Sequence, residues 1–273
     1  MADKDGSEGS TMDDTRGPAP HLPLLDYHPT AQDRDGFVRN LFNGSAESYD
    51  RINAAFSLGS GGWYRRRALL RAGLRPGATL LDVAVGTGLV AREAVRITGR
   101  PADIVGLDLS EGMLARVRQA VPIPLIQARA EALPLSDASF DFVTMGYALR
   151  HVADLAGTFA EFRRVLRPGG RLLVLEIGRP RSRIVHAPLQ FYLGRVVPAL
   201  SRWIGGGANA ETLMRYYWDT IDACVPPAII QQSMAQAGFT QVACETQFGI
   251  FHTYTAERPA ASDAALRSPS QAG

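Results

Sequence analysis

A glycine-rich turn that follows a short apolar strand constrains this chain more than any other sequence feature. The run Leu80–Val85 is apolar except for Asp82, and Gly86-Thr87-Gly88 follows it directly. Glycines at such a turn let the backbone approach a ligand closely, and the next helix supplies free N–H groups. The segment therefore predicts a strand, a ligand-binding loop and a helix, in that order.

A second acidic residue, Asp108, lies twenty positions after Gly88, at the end of the next predicted strand. A carboxylate at that place can accept hydrogen bonds from both hydroxyls of a ribose. The glycine spacing also fits the dinucleotide pattern, which is weak by itself. Asp82 precedes the first glycine by four residues, where it would face a cationic or amino group instead of a pyrophosphate. The pattern therefore favours a nucleoside with a cationic group over a dinucleotide.

Short apolar strands alternate with helical patterns, which predicts a parallel sheet covered by helices on both faces. Five such strands are expected at 79–84, 103–108, 123–127, 140–145 and 171–176. Two more, at 241–247 and 250–255, are separated by two residues and must form an antiparallel hairpin. The predicted fold class is α/β: a Rossmann-like, doubly wound, mostly parallel seven-stranded sheet with an antiparallel C-terminal hairpin strand.

Residues 31–257 are predicted to form one domain between two polar tails. Residues 1–30 and 258–273 have no periodic apolar pattern, so both tails are expected to be disordered. An N-terminal helical segment precedes the first strand, and a helical insertion at 183–223 precedes the last helix. The aromatic residues of this insertion form a lid or an acceptor pocket in one interpretation, and pack on the sheet in the other.

Composition excludes several classes of protein. The chain has 273 residues and a formal net charge of +2, and no apolar stretch is long enough to span a bilayer. The N-terminus lacks the pattern of a secretory signal, and Cys224 and Cys244 cannot form a disulfide framework or a zinc cluster. No basic run carries interleaved aromatic residues. We therefore expect a cytoplasmic protein without a metal or a nucleic-acid partner.

A series of motifs resembles the ubiquinone/menaquinone biosynthesis C-methyltransferase family, which belongs to the class I S-adenosylmethionine-dependent methyltransferases. The similarity covers about residues 37–257. The motifs lie, in order, at 42–53, 58–59, Trp63, Arg65, 130–134, 140–141, 148–152, Arg163 and 165–170. Several motifs in the same order are specific for methyltransferase chemistry, and less specific for the substrate.

The resemblance implies S-adenosylmethionine as the cofactor and S-adenosylhomocysteine as the product. It implies methylation of a ring carbon on a lipophilic phenol or quinol, similar to demethylmenaquinone or a ubiquinone precursor. Methylation of another small molecule or lipid, of phenolic, terpenoid or polyketide type, stays open. A small lipophilic substrate is the expected partner, and peripheral contact with the inner face of the membrane and a homodimer are further expectations.

The candidate cofactor residues lie in the N-terminal segment and at the ends of the first four strands. The resemblance implies contacts at Thr87, Asp108, Arg129, Ala130 and Gly146. The binding loop and the strand ends add Asp82, Ala84, Gly86, Gly88 and Leu109. Tyr49, in a segment that the resemblance folds over the cofactor, either packs its ring on the sulfonium or ribose or holds the N-terminal helix in the core.

Arg150 and His151 follow the fourth strand, near the point where the methyl group would emerge. Carbon methylation of a phenol requires an electron-rich ring, which loss of the phenol proton supplies and a nearby cation stabilises. His151 suits the first task and Arg150 the second. In the alternative interpretation Arg150 pairs with an acidic residue and His151 caps the next helix. The candidate acceptor-binding residues are Tyr147, Tyr216 and Tyr217.

Overall fold

A seven-stranded sheet forms the centre of the computed structural model, which describes residues 19–21, 24, 27, 31–57, 60–180, 182–203 and 207–260. The strands are β1 (Leu80–Val83), β2 (Ile104–Asp108), β3 (Leu125–Gln127), β4 (Phe140–Gly146), β5 (Leu166–Ile177), β6 (Thr240–Gln247) and β7 (Phe251–Glu257). Their spatial order is β3-β2-β1-β4-β5-β7-β6. Neighbours from β3 to β5 are parallel, whereas β7 is antiparallel to both β5 and β6. The predicted fold class is confirmed.

Helices surround the sheet and precede it. The described helices are α1 (Ala31–Ser57), α2 (Gly61–Arg71), α3 (Leu89–Thr98), α4 (Glu111–Ala120), α5 (Leu155–Val165), α6 (Arg183–Phe191), α7 (Val197–Ser201), α8 (Gly207–Ala223) and α9 (Pro227–Gln236). A π-helical turn, Tyr192–Val196, joins α6 to α7, and a short 3₁₀ turn, Leu149–His151, follows β4. In the described part of the chain, no helix is long and apolar enough to cross a membrane.

The central strands are buried on both faces, which explains their nearly continuous apolar sequences. Leu80 of β1 packs on one face with side chains of α2, α3 and α4. Its neighbours Leu81 and Val83 pack on the other face with side chains of α5 and α9. A third apolar cluster joins α1 to α7 and α8. The carboxyl ends of β1, β2 and β4 thus meet beneath the N-terminal helix.

Strand β5 begins earlier than the sequence predicts. Helix α5 ends before the Arg-Pro-Gly-Gly turn as expected, but the chain already pairs as a strand from Leu166 onward. Gly169, at a φ of 78°, donates its N–H to the carbonyl of Arg258, and the N–H of Arg258 donates to the carbonyl of Gly170. This pairing partner lies more than eighty residues away in sequence, so local signals cannot reveal it.

Most of the two predicted tails lies outside the described residues. The described N-terminal residues contact the domain: the carbonyl of Pro20 accepts the N–H of Val225 at 2.9 Å, and His21 forms a β-bridge with Cys224. Tyr27 donates its hydroxyl to Asp219. These contacts extend the packed chain before the predicted boundary at residue 31, and those of Arg258 extend it beyond residue 257.

Candidate active site

A cavity lies at the carboxyl ends of β1, β2 and β4 and is bordered by α1. Most of the predicted site residues line it: Tyr49, Ala84, Gly86, Thr87, Asp108, Leu109, Arg129, Ala130, Gly146, Tyr147 and His151. Open parallel α/β sheets bind ligands at this edge, where the connections diverge to opposite sides. The lining also includes residues that the sequence interpretation did not assign to the site, notably Asp35, Val38, Phe42, Arg65 and Glu131.

Backbone conformation and backbone hydrogen bonds determine the shape of the loop after β1. Ala84, Gly86 and Gly88 have φ angles of 54°, 57° and 83°, so the chain passes three times through the left-handed region. The N–H of Gly86 donates to Oδ2 of Asp108 at 2.8 Å, and the N–H of Ser110 donates to Oδ1 at 2.8 Å. A carboxylate offers about four acceptor sites, so acceptor capacity remains on Asp108. Burial raises the pKa of Asp108 to about 6.

Asp82 lies at the end of β1, buried and outside the lining of the cavity. The hydroxyl of Thr144 donates to its Oδ1 at 2.8 Å. Its Oδ2 is also buried and has no hydrogen-bond partner among the described residues. Burial raises the pKa of Asp82 to about 7; the hydrogen bonds from Thr144 and from the backbone of Ala91 oppose this rise, and the charge of Arg65 opposes it less. The carboxyl is thus poised to gain from an additional donor or cation.

Arg65 contributes a cation to the cavity. Its guanidinium carbon lies 5.5 Å from the ring centroid of Tyr147, a residue with a φ of 61°. Within the described ranges, no acidic side chain forms an ion pair with Arg65. Beside this pair, Gly146 is confined, because a Cβ there would lie 2.7 Å from Cγ2 of Val90. In the sequence, Arg65 stood out only as part of the family motif, and no role in the site was assigned to it.

Two side-chain contacts, made by Thr87 and Arg129, help to hold α1 over the cavity. The hydroxyl of Thr87 donates to Oδ1 of Asp50 at 2.5 Å. Arg129 forms an ion pair with Asp35 of α1. Tyr49 lines the cavity and packs edge-on against Phe42, also in α1, at 6.3 Å between ring centroids. In the described geometry Arg129 therefore serves as a link between the loop after β3 and α1 as well as part of the cavity wall.

His151 faces the cavity from the 3₁₀ turn after β4. Its ring stacks on Tyr216 at 5.4 Å and 22°, and meets Phe42 edge-on at 5.3 Å. Both ring nitrogens are buried and have no hydrogen-bond partner in the described part of the structure. Burial lowers the pKa of His151 well below 6.5, and the charges of Arg150 and Arg34 lower it further. The imidazole is therefore neutral at pH 7. His151 does not cap the next helix, because the side chain of Asp154 is the N-cap of α5.

Arg150 points away from the cavity, contrary to its predicted role beside the acceptor. Its guanidinium is fully buried and forms an ion pair with Glu176 of β5. Its Nε donates to the hydroxyl of Thr220 at 3.1 Å, and its guanidinium carbon lies 4.0 Å from the ring centroid of Tyr217. Through these contacts, Arg150 anchors the 3₁₀ turn that carries His151.

Three further predicted residues also lie outside the lining of the cavity. Gly88 is the N-cap of α3, and a Cβ there would lie 3.1 Å from Cγ2 of Val121, so this glycine allows close helix packing. Tyr216 is buried behind His151, and Tyr217 covers the guanidinium of Arg150. These two tyrosines support the turn in place of the predicted contact with an acceptor.

The sheet order and the position of the cavity define a class I methyltransferase fold, and solved structures agree. A Thermotoga maritima S-adenosylmethionine-dependent methyltransferase, described as a possible histamine N-methyltransferase, superposes with a TM-score of 0.58 at 20% identity. It covers 81% of this chain and 99% of its own. Haemonchus contortus phosphoethanolamine N-methyltransferase 2, in complex with S-adenosylhomocysteine, has a TM-score of 0.58 at 18% identity, covering 84% and 59%. At these identities the likeness shows the fold alone.

The chain belongs to the ubiE/COQ5 methyltransferase family, whose profile matches residues 30–258. Ubiquinone/menaquinone biosynthesis C-methyltransferase UbiE of Geobacter sulfurreducens is 37% identical over 229 residues, which is 81% of this chain and 88% of the relative. Demethylmenaquinone methyltransferase of Symbiobacterium thermophilum is 34% identical over 224 residues, covering 78% and 88%. The predicted resemblance and the predicted enzyme class are confirmed. The protein is a methyltransferase of the class that uses S-adenosylmethionine.

Proposed function

We propose that this protein transfers the methyl group of S-adenosylmethionine to a ring carbon of a lipophilic quinol, similar to demethylmenaquinone or a ubiquinone precursor. The names of its relatives support the type of acceptor. The observation that carries the chemistry is His151, a neutral imidazole with two buried, unpartnered nitrogens between aromatic rings at the cavity wall. Because its imidazole is unprotonated at pH 7, His151 can accept a proton from an acceptor hydroxyl held within hydrogen-bond reach.

The residues at the other end of the cavity fit the cofactor. Asp108 retains acceptor capacity for two ribose hydroxyls after its two backbone bonds. The unpartnered Oδ2 of Asp82 suits an ammonium group, and the unpaired guanidinium of Arg65 suits a carboxylate. These two opposite charges match the amino-acid part of S-adenosylmethionine. Ala130 and the stem of Arg129 are proposed to flank the adenine.

Helix α1 and the loops form the wall of this end of the cavity. Thr87, Leu109 and Gly146 contribute to the wall, and Tyr49 covers it from α1. A water-excluding wall strengthens the electrostatic contacts inside it and protects the donor from hydrolysis. We propose that the ribose and the sulfonium lie under Tyr49, with Gly146 allowing close approach at the end of β4.

The acceptor end provides a base and a shaped apolar wall. S-adenosylmethionine, when bound, supplies an electrophilic methyl group. His151 removes the proton of the acceptor hydroxyl, and the released electron pair makes a ring carbon nucleophilic. That carbon would accept the methyl group, with S-adenosylhomocysteine as the leaving group, and would then lose its own hydrogen as a proton to water, which restores the aromatic ring. Phe42 and Tyr216 hold the imidazole in place, and the ion pair of Arg150 with Glu176 holds its backbone turn. Tyr147 lines the same wall and is proposed to contact the acceptor. Orientation of the acceptor against the methyl donor contributes the rest of the acceleration.

The proposal is tested by incubating the purified protein with S-adenosylmethionine and a panel of reduced naphthoquinols, benzoquinols and unrelated phenols. We expect release of S-adenosylhomocysteine together with a product heavier by one CH₂ unit, in which an aromatic C–H signal is replaced by a C-methyl signal. Methylation on oxygen, or preference for an unrelated phenol or lipid, would contradict the quinol assignment and favour the alternative acceptor class. A cytoplasmic location and a homodimer stay predictions.

A further inference from the structure

The segment from Ser182 to Trp203, here called the α6–α7 surface, exposes an unusual amount of apolar side chain. Helix α6 is mostly apolar in sequence, yet none of its nine residues is buried. Ile184 is 86% exposed, Phe191 60% and Trp203 88%. The other strongly exposed large apolar residues of this segment are Val185, Tyr192 and Leu200. Apolar patches of this kind mark interaction sites in soluble proteins.

The exposed apolar residues occupy a defined side of α6. Ile184, Pro188 and Phe191 are spaced at i, i+4 and i+7, which places them on one face of the helix. The opposite side is held on α8, because Nε2 of His186 is hydrogen-bonded to Oδ1 of Asp222 at 2.6 Å and its ring lies 5.7 Å from that of Trp218. The helix is therefore attached by one side, and its apolar side faces outward.

The charge of the α6–α7 surface has a single sign. Residues 182–203 contain three arginines, Arg183, Arg195 and Arg202, and no acidic residue. Arg202 forms an ion pair with Glu211 of α8 at 3.6 Å. Arg183 and Arg195 have no ion-pair partner within the ranges that the structure describes. The surface thus combines exposed aliphatic and aromatic side chains with unpaired cations.

We propose that the α6–α7 surface docks the protein on a lipid bilayer that carries anionic headgroups. Helices that lie in a membrane interface combine an apolar face of this type with basic residues, and tryptophan and tyrosine are favoured at that depth. The cations attract an anionic surface, and the apolar side chains enter the boundary of the acyl chains. The purpose of this docking rests on the proposed function, because a prenylated quinol resides in the bilayer, but the docking itself does not.

The test is vesicle co-sedimentation of the full chain with phosphatidylcholine vesicles that contain or lack phosphatidylglycerol. We expect binding to the anionic vesicles, weakened by salt, and at least about tenfold weaker binding to neutral vesicles. The triple substitution Ile184→Ser, Phe191→Ser and Trp203→Ser should reduce partitioning at least about tenfold. Arg183→Gln with Arg195→Gln should reduce binding to anionic vesicles only.

The matched control is Phe248→Ser, which removes an 86% exposed aromatic side chain outside the surface and should leave binding unchanged. Cofactor affinity by calorimetry should be the same in all variants, which separates loss of docking from loss of folding. Absence of vesicle binding by the wild-type protein, or equal losses in Phe248→Ser and the triple variant, would overturn the proposal. Self-association through this surface without vesicle binding would also overturn it. Vesicle binding by a protein that methylates no quinol would refute only the proposed function.

Discussion

The two ends of the cavity are built in different ways. At the end proposed to hold the cofactor, backbone groups set the geometry: the N–H groups of Gly86 and Ser110 hold Asp108, and left-handed φ angles shape the loop after β1. At the end proposed to hold the acceptor, side chains from distant elements set the geometry, because Phe42 of α1 and Tyr216 of α8 enclose His151. Backbone contacts depend on the fold that class I methyltransferases share, whereas the side chains that contact the acceptor can differ between enzymes with different acceptors.

Arg150 and His151 show the same difference within two consecutive residues. The cation of Arg150 is paired with Glu176, Thr220 and the ring of Tyr217, and only its Nη2 has no hydrogen-bond partner among the described residues, so Arg150 stabilises the protein interior. His151 has no such partners in the described structure and faces the cavity. Chemistry at the acceptor end is therefore expected to depend on His151, and stability on Arg150.

The largest expected effect is on stability. Arg150→Met leaves the carboxylate of Glu176 buried without its cation, which should lower the free energy of unfolding by about 3–5 kcal/mol. Urea denaturation measures this loss. The double variant Arg150→Met with Glu176→Met should recover most of it, because both charges are then absent. Arg65→Met, which removes an unpaired cation, is the control and should change stability by less than about 1 kcal/mol. Full stability combined with lost turnover in Arg150→Met would instead restore a direct catalytic role for Arg150.

The next largest effect concerns the cofactor end. Asp108→Ala removes a charged acceptor for two hydroxyl groups and should weaken cofactor binding by about 2–4 kcal/mol, or about 30- to 1,000-fold. Calorimetric titration measures the affinity, and circular dichroism checks that the substitution has not unfolded the domain. Affinity equal to that of the wild-type protein would contradict the assignment of Asp108 to the ribose.

Removal of the base should act at the acceptor end alone. His151→Asn should lower turnover by about 10²-fold, the usual scale for a general base, without changing cofactor affinity. The lowered pKa of His151 means that the base is protonated only well below pH 6.5, so the wild-type rate should fall there and the variant should lack this acidic limb. The pH profile of single-turnover rates measures both effects. An unchanged rate and profile would exclude His151 as the base.

The smallest expected effect is the pH dependence of cofactor affinity. Asp82, with a pKa raised to about 7, is half ionised at pH 7 and mostly protonated at pH 6 in the free protein. Because an ammonium group binds the ionised form, affinity should fall about fivefold from pH 7 to pH 6. Asp82→Asn should bind more weakly at pH 7 and show a flatter profile. The same pH dependence in both proteins would assign it to another group.

Local signals determined the strand–turn–helix units of this protein. Apolar runs with the right spacing predicted the central strands, and the two-residue connection predicted the hairpin, where Phe248 and Gly249 have positive φ angles of 53° and 73°. Gly86 and Asp108 were identified for the same reason, because each ends a strand or begins a loop. Such features depend on residues close in sequence, and on strand ends that a parallel sheet must bring together.

Only the tertiary structure decided which charged and aromatic side chains meet. The sequence analysis assigned Arg150 and His151 to the same site, but the fold gives them different surroundings. Arg150 forms a buried ion pair with Glu176 of β5, whereas the rings of Phe42 and Tyr216 enclose His151. The tertiary structure also revealed Arg65 in the lining of the cavity and the outward-facing apolar side of α6. The physical reason is that burial and pairing depend on neighbours far away in sequence, whose distance and direction no local pattern encodes.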